Sequence, residues 1–241
     1  MRAGSARRGC PSCLEGLVIT ARGRYEFAGP CPCCGQSRAS VSHDPGSTGI
    51  PPKFKGSTWE TWIHQEALRG PVSALIQWTG DPWAITLSAA GGRNIGSGKT
   101  HALCATATAW RAAGRVTYYA AARTLVEREE RIAARVEDPE AFGFRAAMSF
   151  PGLLCLDDVG VERGRRRGRW ADSVDRVIDA RYSSGAPTLV ASDLTPAALA
   201  RLYPRSHSRL SEGLVLPWTA EDFRQRLGDQ ARRAAAGGTH E

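Results

Sequence analysis

The feature that most constrains the fold of this chain is the glycine-rich stretch GGRNIGSGKT at positions 91–100. Its second half matches the pattern G-x-x-x-x-G-K-[ST], a loop between a strand and a helix that grips phosphate groups. Glycine, lysine and threonine stand as expected at 98–100, but Arg93 replaces the first glycine and Gly92 comes one residue early. The backbone N–H groups that bind phosphate, from 96 to 100, are retained. We therefore predict a nucleotide site here; the alternative is a glycine-rich turn that binds none.

The residues around this loop alternate between strand and helix patterns. The apolar run WAITLSAA precedes the loop, as expected for a strand buried on both faces, and the helical pattern HALCATATAWRAAG follows it and stops at Gly114. Four further segments have strand patterns: RVTYYAA, GLLCLDD, PTLVAS and LVL. Three segments have helix patterns: PVSALIQW, TLVEREERIAARVE and SVDRVIDARY. Thr124 and Glu127 have capping-box spacing, which predicts a helix start at Thr124. The alternation predicts an α/β fold, with a parallel sheet flanked by helices on both faces.

Two adjacent acids, Asp157 and Asp158, end the buried strand pattern GLLCLDD. A carboxylate at the carboxyl end of a parallel strand, near the phosphate loop, can hold Mg²⁺ together with the hydroxyl of Thr100. We assign this role to Asp157, and we expect Asp158 to orient or deprotonate the attacking water. The alternative is that two adjacent acids only begin a turn.

Four segments in order resemble a known family: GSGKTHALCATA, LLCLDDVGVE, DRVIDARYSSGAPTLVASDLTPAAL and SRLSEG. They are similar to the DnaC/DnaI helicase loaders and the IstB transposition helpers, a branch of the AAA+ ATPases, over roughly residues 70–225. The resemblance implies an AAA+ P-loop ATPase domain at 71–225 that uses ATP and Mg²⁺. The loop pattern and this resemblance together predict that seven residues contact or lie near the nucleotide and its metal ion: Gly96, Ser97, Gly98, Lys99, Thr100, His101 and Asp157.

The resemblance also implies catalytic roles for four residues: Lys99, Asp158, Asp193 and Arg209. The family has a polar sensor, usually Asn, after the fourth strand, where this chain has Asp193. An unprotonated carboxylate cannot donate a hydrogen bond to phosphate, so this departure predicts weakened sensing and turnover. Arg209 matches the arginine finger that reaches a neighbouring subunit's nucleotide, with Arg205 as a second candidate, and Arg224 is a candidate second sensor without an assigned role. The alternative is that Arg205 and Arg209 are ordinary surface arginines.

Five of the seven cysteines lie in the first 34 residues. Two C-x₂-C pairs separated by seventeen residues have the spacing of a structural zinc site, with Cys10, Cys13, Cys31 and Cys34 as ligands. Cys33 is an alternative to Cys34, and a thiol cluster without metal is the alternative to zinc. GLVIT and YEF between the pairs predict a hairpin, so we expect a zinc ribbon at 1–40, followed by a Pro-, Gly- and Ser-rich linker at 41–70.

The formal charge of +8 favours nucleic acid, or another polyanion, as a partner. The run ERGRRRGRW is predicted to contact single-stranded DNA through five arginines: Arg163, Arg165, Arg166, Arg167 and Arg169. The alternative is a solvated loop. The chain has no run of about 18 apolar residues, and its basic start lacks the apolar stretch of a secretory signal, so we expect a cytoplasmic protein without a membrane span.

Together these observations favour an ATP-dependent loader that places a replicative helicase on single-stranded DNA. DnaI-like loaders carry an N-terminal zinc module, and the similarity implies that the ribbon docks on the helicase. An arginine finger supplied in trans implies a homo-oligomer or a mixed ring. Two alternatives remain: an IstB-like transposition helper, and a nucleotide-binding adaptor with little hydrolysis. Residues 226–241 are predicted to be a flexible tail.

Overall fold

The computed structural model describes residues 17–22, 25–30, 48–90, 95–134, 143–160 and 167–224, together with residues 228 and 232. The chain divides into two compact units, 1–46 and 47–241. In the smaller unit, β1 (Leu17–Arg22) and β2 (Tyr25–Pro30) pair as the antiparallel hairpin that the apolar segments predict. The predicted zinc ligands Cys10, Cys13, Cys31 and Cys34, and the alternative Cys33, lie outside the described residues.

The larger unit is built on a five-stranded sheet in which every described pairing is parallel. Its strands are β3 (Ala84–Ala89), β4 (Thr117–Ala121), β5 (Leu153–Val159), β6 (Thr188–Ser192) and β7 (Leu214–Trp218). The strand order is β4-β5-β6-β3-β7, so the strand before the phosphate loop lies near the centre, next to β6. The predicted parallel α/β sheet is therefore confirmed.

Helices cover both faces of this sheet. They are α1 (Arg69–Gln77), α2 (Lys99–Ala112), α3 (Ala122–Ala133), α4 (Phe144–Ser149), α5 (Arg167–Ser184), α6 (Pro196–Leu202) and α7 (Pro204–Leu210). Leu75 of α1 and Leu103 of α2 are buried in a core on one face. Leu125 of α3, Ile178 of α5 and Leu210 of α7 are buried in the core of the other face. Among the described residues, no helix is long and apolar enough to cross a membrane.

The start of α3 differs from the capping-box prediction. The helix begins at Ala122, directly after β4, so Thr124 lies inside its first turn rather than at its N-cap. The carboxylate of Glu127 accepts a hydrogen bond of 2.6 Å from Nε of Arg123, four residues earlier on the exposed face. The carboxylate therefore serves a side-chain pair within the helix, and the predicted helix start is wrong by two residues.

The described part of the predicted linker packs onto the larger unit. The carbonyl of Thr48 accepts a hydrogen bond of 2.8 Å from the N–H of Tyr119 in β4. Ile50 and Leu68 are buried in the same core as α1 and α2, and 3₁₀ turns form at Pro52–Phe54 and Glu66–Leu68. We call residues 48–65 the strap, because this segment runs from the edge of the sheet to the phosphate loop.

One arginine is wholly buried at the edge of the sheet where β5 and β6 begin. The guanidinium of Arg181 in α5 donates five hydrogen bonds of 2.7–3.1 Å, to the carbonyls of Ala147, Phe150, Gly152 and Pro187 and to the hydroxyl of Thr188. Burial lowers the pKa of Arg181 to about 9. This single side chain ties α4, α5 and the starts of two strands together.

Candidate nucleotide-binding site

The phosphate loop joins β3 to α2, as the sequence predicts. Gly96 and Gly98 have φ angles of +79° and +87°, in the left-handed region that side chains disfavour. A Cβ on Gly96 would lie 1.9 Å from the carboxylate of Asp222, and one on Gly98 would lie 3.0 Å from the ring of Trp62. Only glycine therefore fits this backbone, because Asp222 and Trp62 approach it closely. Arg93 lies outside the described residues.

Lys99 is the first residue of α2 and is only 8% exposed. Its ammonium group donates a hydrogen bond of 3.1 Å to the hydroxyl of Ser97. It also forms an ion pair of 2.7 Å with the carboxylate of Asp193, which follows β6. A buried ammonium group requires such partners, because an unpaired charge in this environment is costly.

Asp157 is 2% exposed and accepts three hydrogen bonds. The hydroxyls of Thr100 and Tyr119 each donate to Oδ2 at 2.7 Å, and the backbone N–H of Asp158 donates to Oδ1 at 2.9 Å. Burial and the Asp157 carboxylate raise the pKa of Tyr119 well above its usual value, so the phenol keeps its proton. The carboxylate is thus fixed beside the threonine that was predicted to share its metal ion.

Asp158 projects into the same cavity from an irregular strand end. The pairing of β5 with β6 shifts register between Leu156 and Val159, and Asp158 has a φ angle of +56°. Such irregularities re-aim side chains, and non-glycine residues with this φ are concentrated at functional sites. Partial burial, followed by the charges of Asp157 and Asp193, raises the pKa of Asp158 to about 6, although more than a third of the residue remains exposed.

These side chains open on a cavity of about 540 Å³. One side is the phosphate loop with the three acids; the other is the strap, which contributes Phe54, Trp62 and Ile63. His101, from the first turn of α2, lines the cavity, and its ring packs edge-on against Trp62 with 5.4 Å between centroids. Arg224 also lines it.

Sequence reasoning missed two residues that support the site. Trp218 of β7 is fully buried and donates a hydrogen bond of 3.0 Å from Nε1 to the carbonyl of Ser97. Tyr119 pairs in register with Cys155, two residues before Asp157 on the neighbouring strand. Because residues two apart face the same side of a sheet, the pairing of RVTYYAA with GLLCLDD would have brought Tyr119 to the acid.

Arg209 is not brought to the phosphate loop. It lies in α7 and forms an ion pair of 2.5 Å with Asp179 of α5, and its guanidinium lies 5.6 Å from the ring centroid of Tyr182. Together with Arg205 it lines a different cavity, of about 800 Å³, between α5 and α7. Within one copy of the chain, the predicted finger therefore contributes nothing to the site.

The predicted DNA contacts lie at the edge of the described structure. Arg163, Arg165 and Arg166 are outside the described residues, and Arg167 and Arg169 belong to the first turn of α5. Their contact with DNA stays a prediction.

The described residues fit a nucleotide with a magnesium ion. A phosphate group requires backbone N–H groups and a cation, which the glycine turn at Gly96 and Gly98 and the ammonium of Lys99 supply at a helix N-terminus. Magnesium prefers oxygen ligands, and Thr100 and Asp157 present two oxygens 2.7 Å apart. Within the part of the chain that the structure describes, no three or more His, Cys, Asp or Glu side chains are grouped so as to hold a metal ion, so the magnesium assignment depends on Thr100 and Asp157.

The sequence of the chain was compared with those of known proteins and protein families. No protein-family model matches the chain. The chromosomal replication initiator protein DnaA of Mesorhizobium japonicum is 30% identical over 138 residues, which are 56% of this chain and 26% of that protein. The chain thus spans about a quarter of the length of this curated relative.

Two solved structures extend the comparison. The replication initiator DnaA bound to AMPPCP and single-stranded DNA superposes with a TM-score of 0.56 at 22% identity, covering 71% of this chain and 51% of that one. The DnaC helicase loader superposes with a TM-score of 0.56 at 17% identity, covering 70% of this chain and 100% of that one. The larger unit of this chain therefore shares its fold with these DnaA and DnaC structures.

Proposed function

We propose that this chain is an ATPase of DNA replication that loads a replicative helicase onto single-stranded DNA. One observation carries the proposal: Lys99, Thr100, Asp157 and Asp158 meet at a single cavity of about 540 Å³ on an AAA+ fold. The similarity to DnaA and to the DnaC helicase loader supports a role at the start of replication. The similar DnaC protein is named a helicase loader, which supports helicase loading as the specific role.

In the proposed reaction each side chain has a separate task. Lys99 binds the β- and γ-phosphates, and Thr100 and Asp157 would hold Mg²⁺, which would neutralise charge on the phosphates. Tyr119 keeps the Asp157 carboxylate oriented toward that ion. Asp158, with a pKa of about 6, is ionised at neutral pH and orients or deprotonates the attacking water.

The arginine finger and the DNA contacts complete the proposal. Arg209 acts on the nucleotide of a neighbouring subunit, and for this it exchanges its partner Asp179 for phosphate. Hydrolysis then requires an oligomer or a mixed ring. Arginines 163, 165, 166, 167 and 169 contact the DNA backbone, an assignment supported by the single-stranded DNA bound to the similar initiator.

We also propose that the smaller unit holds zinc through Cys10, Cys13, Cys31 and Cys34 and docks on the helicase. The ligand spacing supports this, as does the hairpin of β1 and β2 between the two cysteine pairs. One zinc ion per chain is the expected content of purified protein, with loss of that ion in a Cys10→Ser, Cys13→Ser variant. Protein that purifies without zinc would contradict the assignment.

The test of the function has three steps on the full chain. Calorimetry with Mg²⁺-ATP should show binding that Lys99→Ala removes. ATP hydrolysis should rise when single-stranded DNA and the replicative helicase of the same cells are added. Finally, that helicase should co-purify with the chain and reach circular single-stranded DNA only in its presence. Co-purification with a transposase instead would identify the IstB-like helper that the sequence also resembles.

A second function is favoured by one specific contact. The ion pair of Lys99 with Asp193 occupies the cation that a triphosphate requires, which suits a nucleotide-binding adaptor with little hydrolysis. Binding without measurable turnover, with and without DNA and helicase, would favour this adaptor over the loader.

A further inference from the structure

The position of Asp193 is fixed by the residues on either side of it. The buried hydroxyl of Ser192 donates a hydrogen bond of 2.6 Å to the carbonyl of Val159 and accepts one of 3.1 Å from the N–H of Leu194. The carbonyl of Leu194 accepts a hydrogen bond of 3.1 Å from the N–H of Ala89. The turn that carries Asp193 is therefore tied to β5 and β3, and its backbone cannot leave the site without breaking these bonds.

The carboxylate of Asp193 acts on Lys99 from this fixed position. The two charged groups are 2.7 Å apart, with 8% of the Lys99 side chain and 32% of the Asp193 side chain exposed. In a phosphate loop the lysine is the residue that neutralises the outer phosphates. Here its charge is already matched by a carboxylate of the same chain, so any ligand must compete with that carboxylate.

Two further acids lie near this ion pair. Asp157, Asp158 and Asp193 line the cavity together with Lys53, Lys99 and Arg224, and Lys53 is an exposed residue of the strap. Burial raises the pKa of Asp158, and the charges of Asp157 and Asp193 add to this effect. Repulsion between charges a few ångströms apart is strong where water is partly excluded, and it grows with each phosphate group of the ligand.

We propose that Asp193 is a specificity-determining residue that makes the site favour a nucleoside diphosphate over the corresponding triphosphate. The inference rests on the proposed nucleotide site and deepens it. Both ligands bring a β-phosphate to Lys99, but only a triphosphate adds a γ-phosphate, whose negative charge lies against the Asp193 carboxylate. Replacing the carboxylate by a neutral group should therefore improve triphosphate binding more than diphosphate binding.

Calorimetry on the full chain, with excess Mg²⁺, tests this with ADP and the non-hydrolysable triphosphate AMPPCP. The variants are Asp193→Asn, which keeps the shape of the side chain, and Asp193→Ser, which keeps a small polar group. The matched control is Glu66→Gln, which makes the same change from carboxylate to amide at a residue whose side chain is 78% exposed and lies outside the cavity. Thermal unfolding shows that each variant is folded.

The measured quantity is the Kd of AMPPCP divided by the Kd of ADP. We expect this ratio to exceed one in the parent protein and in Glu66→Gln, and to fall by at least about tenfold in both Asp193 variants. Binding of both nucleotides with the same ratio in the parent and in the Asp193 variants overturns this inference and leaves the nucleotide site standing. Failure of the folded parent protein to bind either nucleotide overturns the proposed site and this inference together.

Discussion

Two buried cations, Lys99 and Arg181, lie at opposite ends of the strands of the same sheet. They differ in whether a charged or a neutral group accepts their hydrogen bonds. Lys99 lies at the edge where the strands end, and a carboxylate, Asp193, supplies its counter-charge. Arg181 lies at the edge where β5 and β6 begin, and neutral carbonyls and one hydroxyl receive its hydrogen bonds. An anionic ligand can replace the carboxylate beside Lys99. The carbonyls around Arg181 belong to the fold itself, so this cation is a permanent anchor.

The largest effect should come from removing the permanent anchor. Arg181→Met removes a hydrogen-bond donor from four carbonyls and from the Thr188 hydroxyl around a wholly buried side chain, and we expect a loss of about 3 kcal/mol or more in the free energy of unfolding. Arg181→Lys should recover only part of this, since an ammonium group cannot match the fork of the guanidinium. Urea denaturation measures both. Arg201→Met, at an exposed arginine of α6, is the control and should change stability by less than about 0.5 kcal/mol.

The second effect is a loss of nucleotide affinity when Lys99 is replaced. Lys99→Ala removes the charge that binds phosphate, and we expect nucleotide affinity to fall roughly 100-fold, or about 2.7 kcal/mol, measured by calorimetry. The variant should keep its fold, since Asp193 is 32% exposed and water can solvate it once the lysine is gone. If Lys99→Ala binds nucleotide as tightly as the parent protein, the nucleotide does not bind at Lys99. The proposed difference between Lys99 and Arg181 would then be wrong.

A smaller loss of stability should distinguish the buried hydrogen bond from Tyr119 to Asp157 from a hydrogen bond at the protein surface. Tyr119→Phe deletes a hydrogen bond to a buried carboxylate, and we expect a loss of about 1.5 kcal/mol in the stability of the metal-free protein. Tyr182→Phe is the matched control, because that phenol donates to the exposed carboxylate of Glu212 at 3.0 Å. Its loss should cost less than about 0.5 kcal/mol. Equal losses in thermal denaturation with EDTA would show that Asp157 does not depend on Tyr119.

The smallest effect is a dependence of protein stability on pH, caused by Asp158 near Lys99. Because the pKa of Asp158 is raised to about 6, the folded protein binds more protons than the unfolded chain between about pH 4 and pH 6. Stability from this group is therefore present below that window and declines as pH rises through it. Asp158→Asn should remove the decline, so its advantage over the parent in metal-free buffer should grow from pH 4.5 to pH 7. Parallel stability curves would contradict the shift.

Sequence patterns predicted the sheet well because its strands are buried on both faces and read as unbroken apolar runs. The runs at 83–90, 115–121 and 152–158 became β3, β4 and β5. The residues of the phosphate loop and the acids at the end of β5 were predicted from motif spacing, and the structure brings them to one cavity. The ion pair of Lys99 with Asp193 was not predicted, because it depends on β6 lying next to β3 in the strand order. The strap was missed for a related reason: its contacts with β4 and α2 join distant parts of the chain, and its composition is typical of a linker.

The aromatic contacts beside the phosphate loop have a practical consequence. Trp62 of the strap packs edge-on against Trp218 with 5.8 Å between centroids, and its ring borders the backbone of Gly98. The emission of an indole depends on its immediate neighbours, so occupancy of the loop should alter the intrinsic fluorescence of this pair. The chain thus carries its own optical reporter, and a Trp62→Phe variant identifies which part of the signal comes from Trp62.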